Sequence, residues 1–438
     1  MTVHTVPDLA PATEFTLPDC HERVLDNGLT ILAIRRPSVP LVEVRLRLPF
    51  AEADVAVSSV MAQTIMSGTA DKSIVDIAAE LQSVGGGLSA SVDPDRFLLA
   101  GNALVDGLPR LLATMSEVLH GATYPEDQVD VERERLADHI NVARQQPGHL
   151  VQVALLKRMY GAHPYAVQTP EPEDVGAITP QQLLDLHAGR IHPAGATLVI
   201  VGDLPAEQAL DAGAAALADW NGHSEPRSLE PVAPLTAGPV TFVDRPDSVQ
   251  SSIRVALTAL PRVHDDNAAQ QLANLIYGGY FSSRLVANVR ENKGYSYSPR
   301  SAVDHALAGS AVVISADVAT EVTAPALWEV WYELGRIAAT PPTEDELEQA
   351  RRYALGTLRL GTATQSGLAS LASSFAGWDL RPDWLLEHAN RLASVTIEDV
   401  QRVAADIFAP AKAVTVVLGD AAHVKAPLEG LTHVEGAR

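Results

Sequence analysis

The sequence predicts an α+β fold of two homologous halves, each a largely antiparallel sheet covered by helices on one face. Three observations carry this. First, the chain repeats itself. Residues 179–204 resemble residues 396–421, with Thr179 matching Thr396, Pro193 matching Pro410 and Gly202 matching Gly419, each 217 apart (396−179, 410−193, 419−202). A repeat this long is a duplicated domain, not a solenoid unit. Second, each copy runs from strands to helices to a final strand and helix, without strict βαβ alternation. Third, residues 221–246 between the copies are rich in Pro, Gly and Ser, the composition of an interdomain linker that feeds a strand.

The elements follow in order. Residues 1–20 are rich in Pro, Thr and Asp and are expected to be flexible, with structure starting near Arg23. Residues 25–36 place two short apolar stretches around an Asn-Gly turn, a hairpin signal. Residues 42–50 alternate apolar and polar side chains, the period of a half-buried strand. Residues 54–67 read as a packed helix, and 73–86 as a helix with Ser73 as N-cap and Gly85 near its end. A strand pair is expected over residues 88–104. Helices follow over 107–121, 124–146, 149–161 and 179–192, then a buried strand at 196–204 and a further helix. The third of these helices from the start of this run is preceded by a long amphipathic one that enters through Pro125 and acidic residues. The divisions are thus 1–20, a first half over 21–221, a linker over 222–240, a second half over 241–425 and a tail over 426–438.

Composition narrows the function. The chain has 438 residues, too many for one core. Its 47% hydrophobic and 20% charged residues are those of a globular protein. A single cysteine, Cys20, rules out an intrachain disulfide and a cysteine-rich zinc site. The formal net charge of −22 argues against nucleic acid and against an anionic membrane surface. No apolar run approaches the ~20 residues of a membrane span, and no basic stretch precedes an apolar one at the N-terminus. A cytoplasmic location is the expectation.

The stretch that carries chemistry is 278–297, GGYFSSRLVANVRENKGYSY, with Arg290 and Tyr297 seven apart. Together they offer a guanidinium fork and a phenol, donors suited to a carbonyl oxygen gaining negative charge. On spacing alone, such a pair is usually an exposed arginine and a half-buried tyrosine. The duplicated halves, the linker and this stretch together resemble the pitrilysin/insulinase family of zinc peptidases, from about residue 22 to 423. The resemblance implies a clamshell in which the matching arginine and tyrosine of the second half bind substrate backbone near the scissile carbonyl. Ser282, Ser283 and Arg284 read as a structural turn and cap.

The same resemblance exposes a gap. In that family the first half carries an inverted zinc motif, His-x-x-Glu-His, shortly before a Gly-Thr pair. Here that pair is Gly68-Thr69, and Ser59, Ala62 and Gln63 stand where the motif should be. Positions i, i+3 and i+4 share one helix face, but a hydroxyl, a methyl and an amide do not hold zinc. The family's third ligand, a glutamate roughly 76 residues on in such motifs, falls at or beside His139. His139 reads as a helix-surface histidine. His149, His163, His187 and His192 read as structural.

By resemblance, some bacterial members divide the work between two chains, one with the zinc motif and one with the Arg/Tyr pair. The sequence therefore predicts a non-zinc subunit of a heterodimeric metallopeptidase, with no cofactor of its own and zinc in a homologous partner. Arg290 and Tyr297 would act in trans on a peptide. Leu88, Ser89 and Ala90 lie where the family's first half offers a sheet edge to an extended substrate, which can add as a strand; a strand that simply packs is the alternative there. The alternative for the whole chain is a non-catalytic scaffold or peptide-binding homologue.

Overall fold

The computed structural model describes residues 15–222 and 227–437. Two six-stranded sheets form its frame. The first half contains β1 (Cys20–Val24), β2 (Thr30–Arg35), β3 (Leu41–Pro49), β4 (Gly87–Asp93), β5 (Arg96–Leu104) and β6 (Thr197–Gly202). Its helices are α1 (Val55–Thr64), α2 (Ile74–Ser83), α3 (Leu108–Gly121), α4 (Glu126–Ala143), α5 (Pro147–Tyr160), α6 (Pro172–Gly176), α7 (Pro180–Arg190) and α8 (Ala206–Leu217). The second half contains β7 (Val240–Asp244), β8 (Gln250–Thr258), β9 (Arg300–Ala306), β10 (Gly309–Ala319), β11 (Val414–Gly419) and β12 (Val434–Gly436). Its helices are α9 (Asn267–Asn274), α10 (Thr323–Ala339), α11 (Glu344–Ala363), α12 (Gln365–Ala376), α13 (Trp384–Ser394), α14 (Ile397–Ile407) and α15 (Ala421–Glu429).

The strand orders are β1-β2-β6-β3-β5-β4 and β12-β7-β11-β8-β10-β9. Most neighbours are antiparallel, the exceptions being β2 with β6, β7 with β11 and β7 with β12. The sheets match strand for strand except at one edge, where β1 comes from the start of the first half and β12 from the tail after the second. The sequence repeat is visible as structure. β6 and β11 begin 217 residues apart (414−197), and Thr179 and Thr396 each close a capping box at the start of α7 and α14.

Alternation in β3 explains how each sheet is covered. Val42, Val44, Leu46 and Leu48 point into the first core, under helices of their own half. Arg45 and Arg47 point the other way and are still buried. The cover on that face is α12, from the second half: Leu368, Ala369 and Ala372 pack on Leu32, Ile34, Val199 and Val201. Arg45 donates to Ser366 Oγ at 3.0 Å. The exchange is reciprocal. Val151, Leu155 and Met159 of α5 pack on Ala256, Val414, Val416 and Leu418 of the second sheet. Each half thus covers one face of its sheet with its own helices, as expected, and the opposite face receives one helix from the other half.

The expectation of a flexible segment over 1–20 lies outside the described residues for 1–14. For 15–20 it needs correction. Phe15 and Leu17 pack on the Phe375, Trp384 and Leu385 cluster, and β1 begins at Cys20, three residues before the expected start. Two partly buried apolar side chains pack a stretch that looked loose by composition.

Candidate functional site

The second-half stretch is built to hold one side chain outward. After α9 the helix widens into a π turn over Leu275–Gly279, and a second π segment runs over Val286–Asn292. Such widened turns recur at functional sites because they re-aim side chains. Leu285 and Val289 are buried on the inner side. Asn288 Nδ2 donates to Glu329 and Glu333, both at 2.9 Å, which ties the segment to α10. Arg284 is buried, forms a two-pronged pair with Glu346 at 2.7 and 2.9 Å, and so fastens the turn before it to the start of α11. Gly294 then adopts φ +66°, the left-handed conformation that favours glycine. Its N–H donates to Arg290 O, and the next N–H to Val289 O. The chain turns back on itself, and Ser296 is pinned by its Oγ to Asp317 O at 2.8 Å.

This reversal brings Arg290 and Tyr297 together. The Arg290 Cζ lies 4.8 Å from the centre of the Tyr297 ring and 4.7 Å from that of Phe281. Arg290 Nε pairs with Glu291 Oε1 at 3.2 Å. Tyr297 is 82% exposed. The group borders an open cavity of about 270 Å³ lined also by Gly278, Gly279, Val286, Pro299 and Arg300. A cation and a phenol at an open rim can donate to an anionic or polarised oxygen brought from outside. The family resemblance, more than the spacing, singles out Arg290 and Tyr297 as a pair. Phe281 was missed, although its place in GGYFSSRL was the available signal.

In the first half, Ser59, Ala62 and Gln63 lie on α1, which Asp54 caps by accepting from Val57 N at 2.9 Å. Ser59 Oγ donates back to Val55 O at 2.6 Å. Ala62 is buried, and Gln63 is exposed. Gln63 Oε1 accepts from Arg135 Nη2 at 3.3 Å, and Arg135 pairs with Glu132 at 2.7 Å. His139 stands exposed one turn beyond Arg135 on α4. An inward-bonded hydroxyl, a methyl and an amide held by a guanidinium do not fit zinc. Among the described residues, no group of three or more His, Cys, Asp or Glu side chains could hold a metal ion. The contact of Gln63 with Arg135 was not foreseen. The only sequence signal was the Glu132–Arg135 spacing, which places both on one face of α4.

Leu88, Ser89 and Ala90 lie on β4, the outermost strand of the first sheet. They pair with Gly101, Ala100 and Leu99 of β5, which leaves the other strand edge outside the sheet's own pairing. The histidines divide clearly. His187 is half-buried, with Nδ1 2.7 Å from Tyr124 OH and Nε2 2.9 Å from Leu119 O, and desolvation holds its pKa below the usual histidine range. His163 accepts from Tyr165 N and meets Glu230 O. No helix is long and apolar enough to cross a membrane among the described residues.

Comparison with known proteins finds two family models. Residues 57–173 match "Insulinase (Peptidase family M16)" and residues 177–353 match "Peptidase M16 inactive domain". An uncharacterized zinc protease of Streptomyces coelicolor is 24% identical over 366 residues, 81% of this chain and 78% of that one. Another, of Mycobacterium tuberculosis, is 26% identical over 352 residues, 78% of each. A Bacillus subtilis protein named "Probable inactive metalloprotease" is 25% identical over 218 residues, 48% of this chain and 50% of that one. Among solved structures, a peptidase M16 inactive domain from Pseudomonas fluorescens superposes with a TM-score of 0.85 at 24% identity, covering 92% of this chain and 98% of that one. A protease from Helicobacter pylori gives 0.84 at 17% identity, with 92% and 100% covered.

Proposed function

The chain belongs to the insulinase (M16) family of peptidases, as a member without that family's zinc-binding side chains, and we propose that it is the non-zinc subunit of a heterodimeric metallopeptidase. One observation supports this above others. Arg290 and Tyr297 are held together at an open rim, while Ser59, Ala62 and Gln63 stand on α1 where the zinc motif would be and, among the described residues, no group of three or more His, Cys, Asp or Glu could hold a metal ion. Peptide hydrolysis by metal catalysis needs a Lewis acid with its water on one wall and donors for the developing oxyanion on the other. This chain carries the second set only. A homologous partner would supply the metal. Arg290 Nη and Tyr297 OH would then donate to the carbonyl oxygen as it gains charge, and hold the substrate backbone at that point. The open edge of β4 would take an extended segment of the peptide through main-chain hydrogen bonds.

The test is peptide hydrolysis by this chain alone, by a zinc-motif homologue encoded beside it, and by the two mixed. Activity confined to the mixture is the expected result. No gain on mixing would leave a peptide-binding or scaffold role, which the unpaired edge of β4 also fits.

A further inference from the structure

The geometry points to Phe281 as the positioning residue that aims the Arg290 guanidinium, an inference that rests on Arg290 serving as an oxyanion donor. A phenylalanine that is 63% exposed gains little from burial. Yet the backbone around it is tightly fixed. A Cβ on Gly278 would lie 2.8 Å from Ser301 Oγ, and one on Gly279 2.9 Å from Asn274 Nδ2, so this turn sits hard against β9 and α9. The Tyr280 ring packs on Tyr353 with centres 5.2 Å apart. Ser283 and Arg284, just after it, are buried. Phe281 is therefore an open ring on a locked loop, and its ring meets the Arg290 guanidinium at 4.7 Å.

An arginine at an open rim has many rotamers of similar energy, and holding one costs side-chain entropy. The contacts here narrow that set. Two aromatic rings flank the guanidinium at 4.7 and 4.8 Å, where cation–π attraction acts. Glu291 engages Nε. What remains for an incoming carbonyl is the Nη edge, in a plane set by the rings. Tyr297 cannot fix that plane alone, because its hydroxyl is needed at the same oxygen and its ring is more exposed than that of Phe281. Donors placed before the reaction are worth more than donors that must be collected during it.

Phe281→Leu and Phe281→Tyr test the inference, since leucine keeps apolar bulk without a ring and tyrosine keeps the ring. In the mixed complex, Phe281→Leu is expected to lower kcat about tenfold with KM within about twofold, and Phe281→Tyr to stay near wild type. A second readout needs no partner. In the chain labelled with 15N-arginine, the Arg290 Nε–H resonance (identified by its loss in Arg290→Lys) is expected to carry a ring-current shift that Phe281→Leu reduces and Phe281→Tyr keeps. An unchanged resonance and kcat in Phe281→Leu overturn the positioning role, as does equal loss in both variants. The two failures are separable. If Arg290→Ala leaves the mixture fully active, the oxyanion reading falls; if Arg290→Ala abolishes activity and Phe281→Leu does not slow it, only the role of Phe281 falls.

Discussion

Arg290 and Tyr297 act, in the proposed mechanism, only when a carbonyl oxygen becomes an oxyanion, so their loss should fall on kcat more than on binding. Arg290→Ala or Tyr297→Phe is expected to lower cleavage by the mixed subunits by ~10²-fold or more, the scale of one oxyanion donor. Steady-state kinetics with a short peptide measures this, and full activity in both variants would remove the pair from the mechanism. The first half makes the complementary prediction. Metal analysis of the purified chain should find less than about one-tenth equivalent of zinc, because the face of α1 offers no imidazole, thiolate or carboxylate. A stoichiometric value would mean that a ligand set exists elsewhere. Side-chain identity was legible here, since Ser59, Ala62 and Gln63 can be read directly. The guanidinium of Arg135 against Gln63 was not, because the register of α1 against α4 is set by packing over more than seventy residues of intervening chain.

Elements were legible where local chemistry marks them. Ser73 was readable as an N-cap, and in the structure Thr179, Thr343 and Thr396 cap their helices in the same way, each of the four accepting from the third residue on in a reciprocal box with an acidic or amide side chain. The cap of α11 does double service. Its partner Glu346 also holds Arg284, the residue that fastens the loop leading to Phe281 and Arg290. Burial raises the Glu346 pKa, but hydrogen bonds from Arg284 and Thr343 outweigh it and bring the value to about 2. A folded pKa below the unfolded one means that the carboxylate stabilises the fold at neutral pH. That stability is present above the ordinary glutamate pKa of about 4.3 and is lost as pH falls toward about 2. Glu346→Gln should therefore cost about 1–3 kcal/mol at pH 7 and almost nothing near the bottom of that window. Denaturant titrations at several pH values measure the difference, and a pH-independent loss would contradict the ionic account. The π turns beside this loop have no comparable mark. They depend on how Leu285 and Val289 seat in the core, which a linear pattern does not reveal.

At the scale of the whole molecule, the duplication was readable because sequence similarity survives at a fixed offset of 217 residues, visible in Thr179 and Thr396 or Gly202 and Gly419. The exchange of α5 and α12 was not readable. An apolar helix face shows that something covers it, not which sheet does so. The exchange has a consequence for folding. Without α12, the first sheet would present Leu32, Ile34, Val199 and Val201 to water, together with the flank of β3 that carries Arg45 and Arg47. Without α5, the second sheet would expose Ala256, Val414, Val416 and Leu418. Each set is a contiguous apolar face of the kind that drives association when uncovered. The junction is also polar. Asp95 accepts from Tyr165 OH at 2.6 Å and from Leu307 N at 3.1 Å, and Ala308 N donates to the same phenol at 2.9 Å. Neither half is therefore complete alone. Residues 1–222 and 223–438, expressed separately, should be aggregated or lack protected amides in β6 and β11. Expressed together as two chains, they should copurify and recover protection in both strands. Hydrogen exchange followed by mass spectrometry reads each strand independently. A soluble first half whose β6 is as protected as in the intact chain would show that the exchanged helix is an ornament to the sheet and not part of its folding unit.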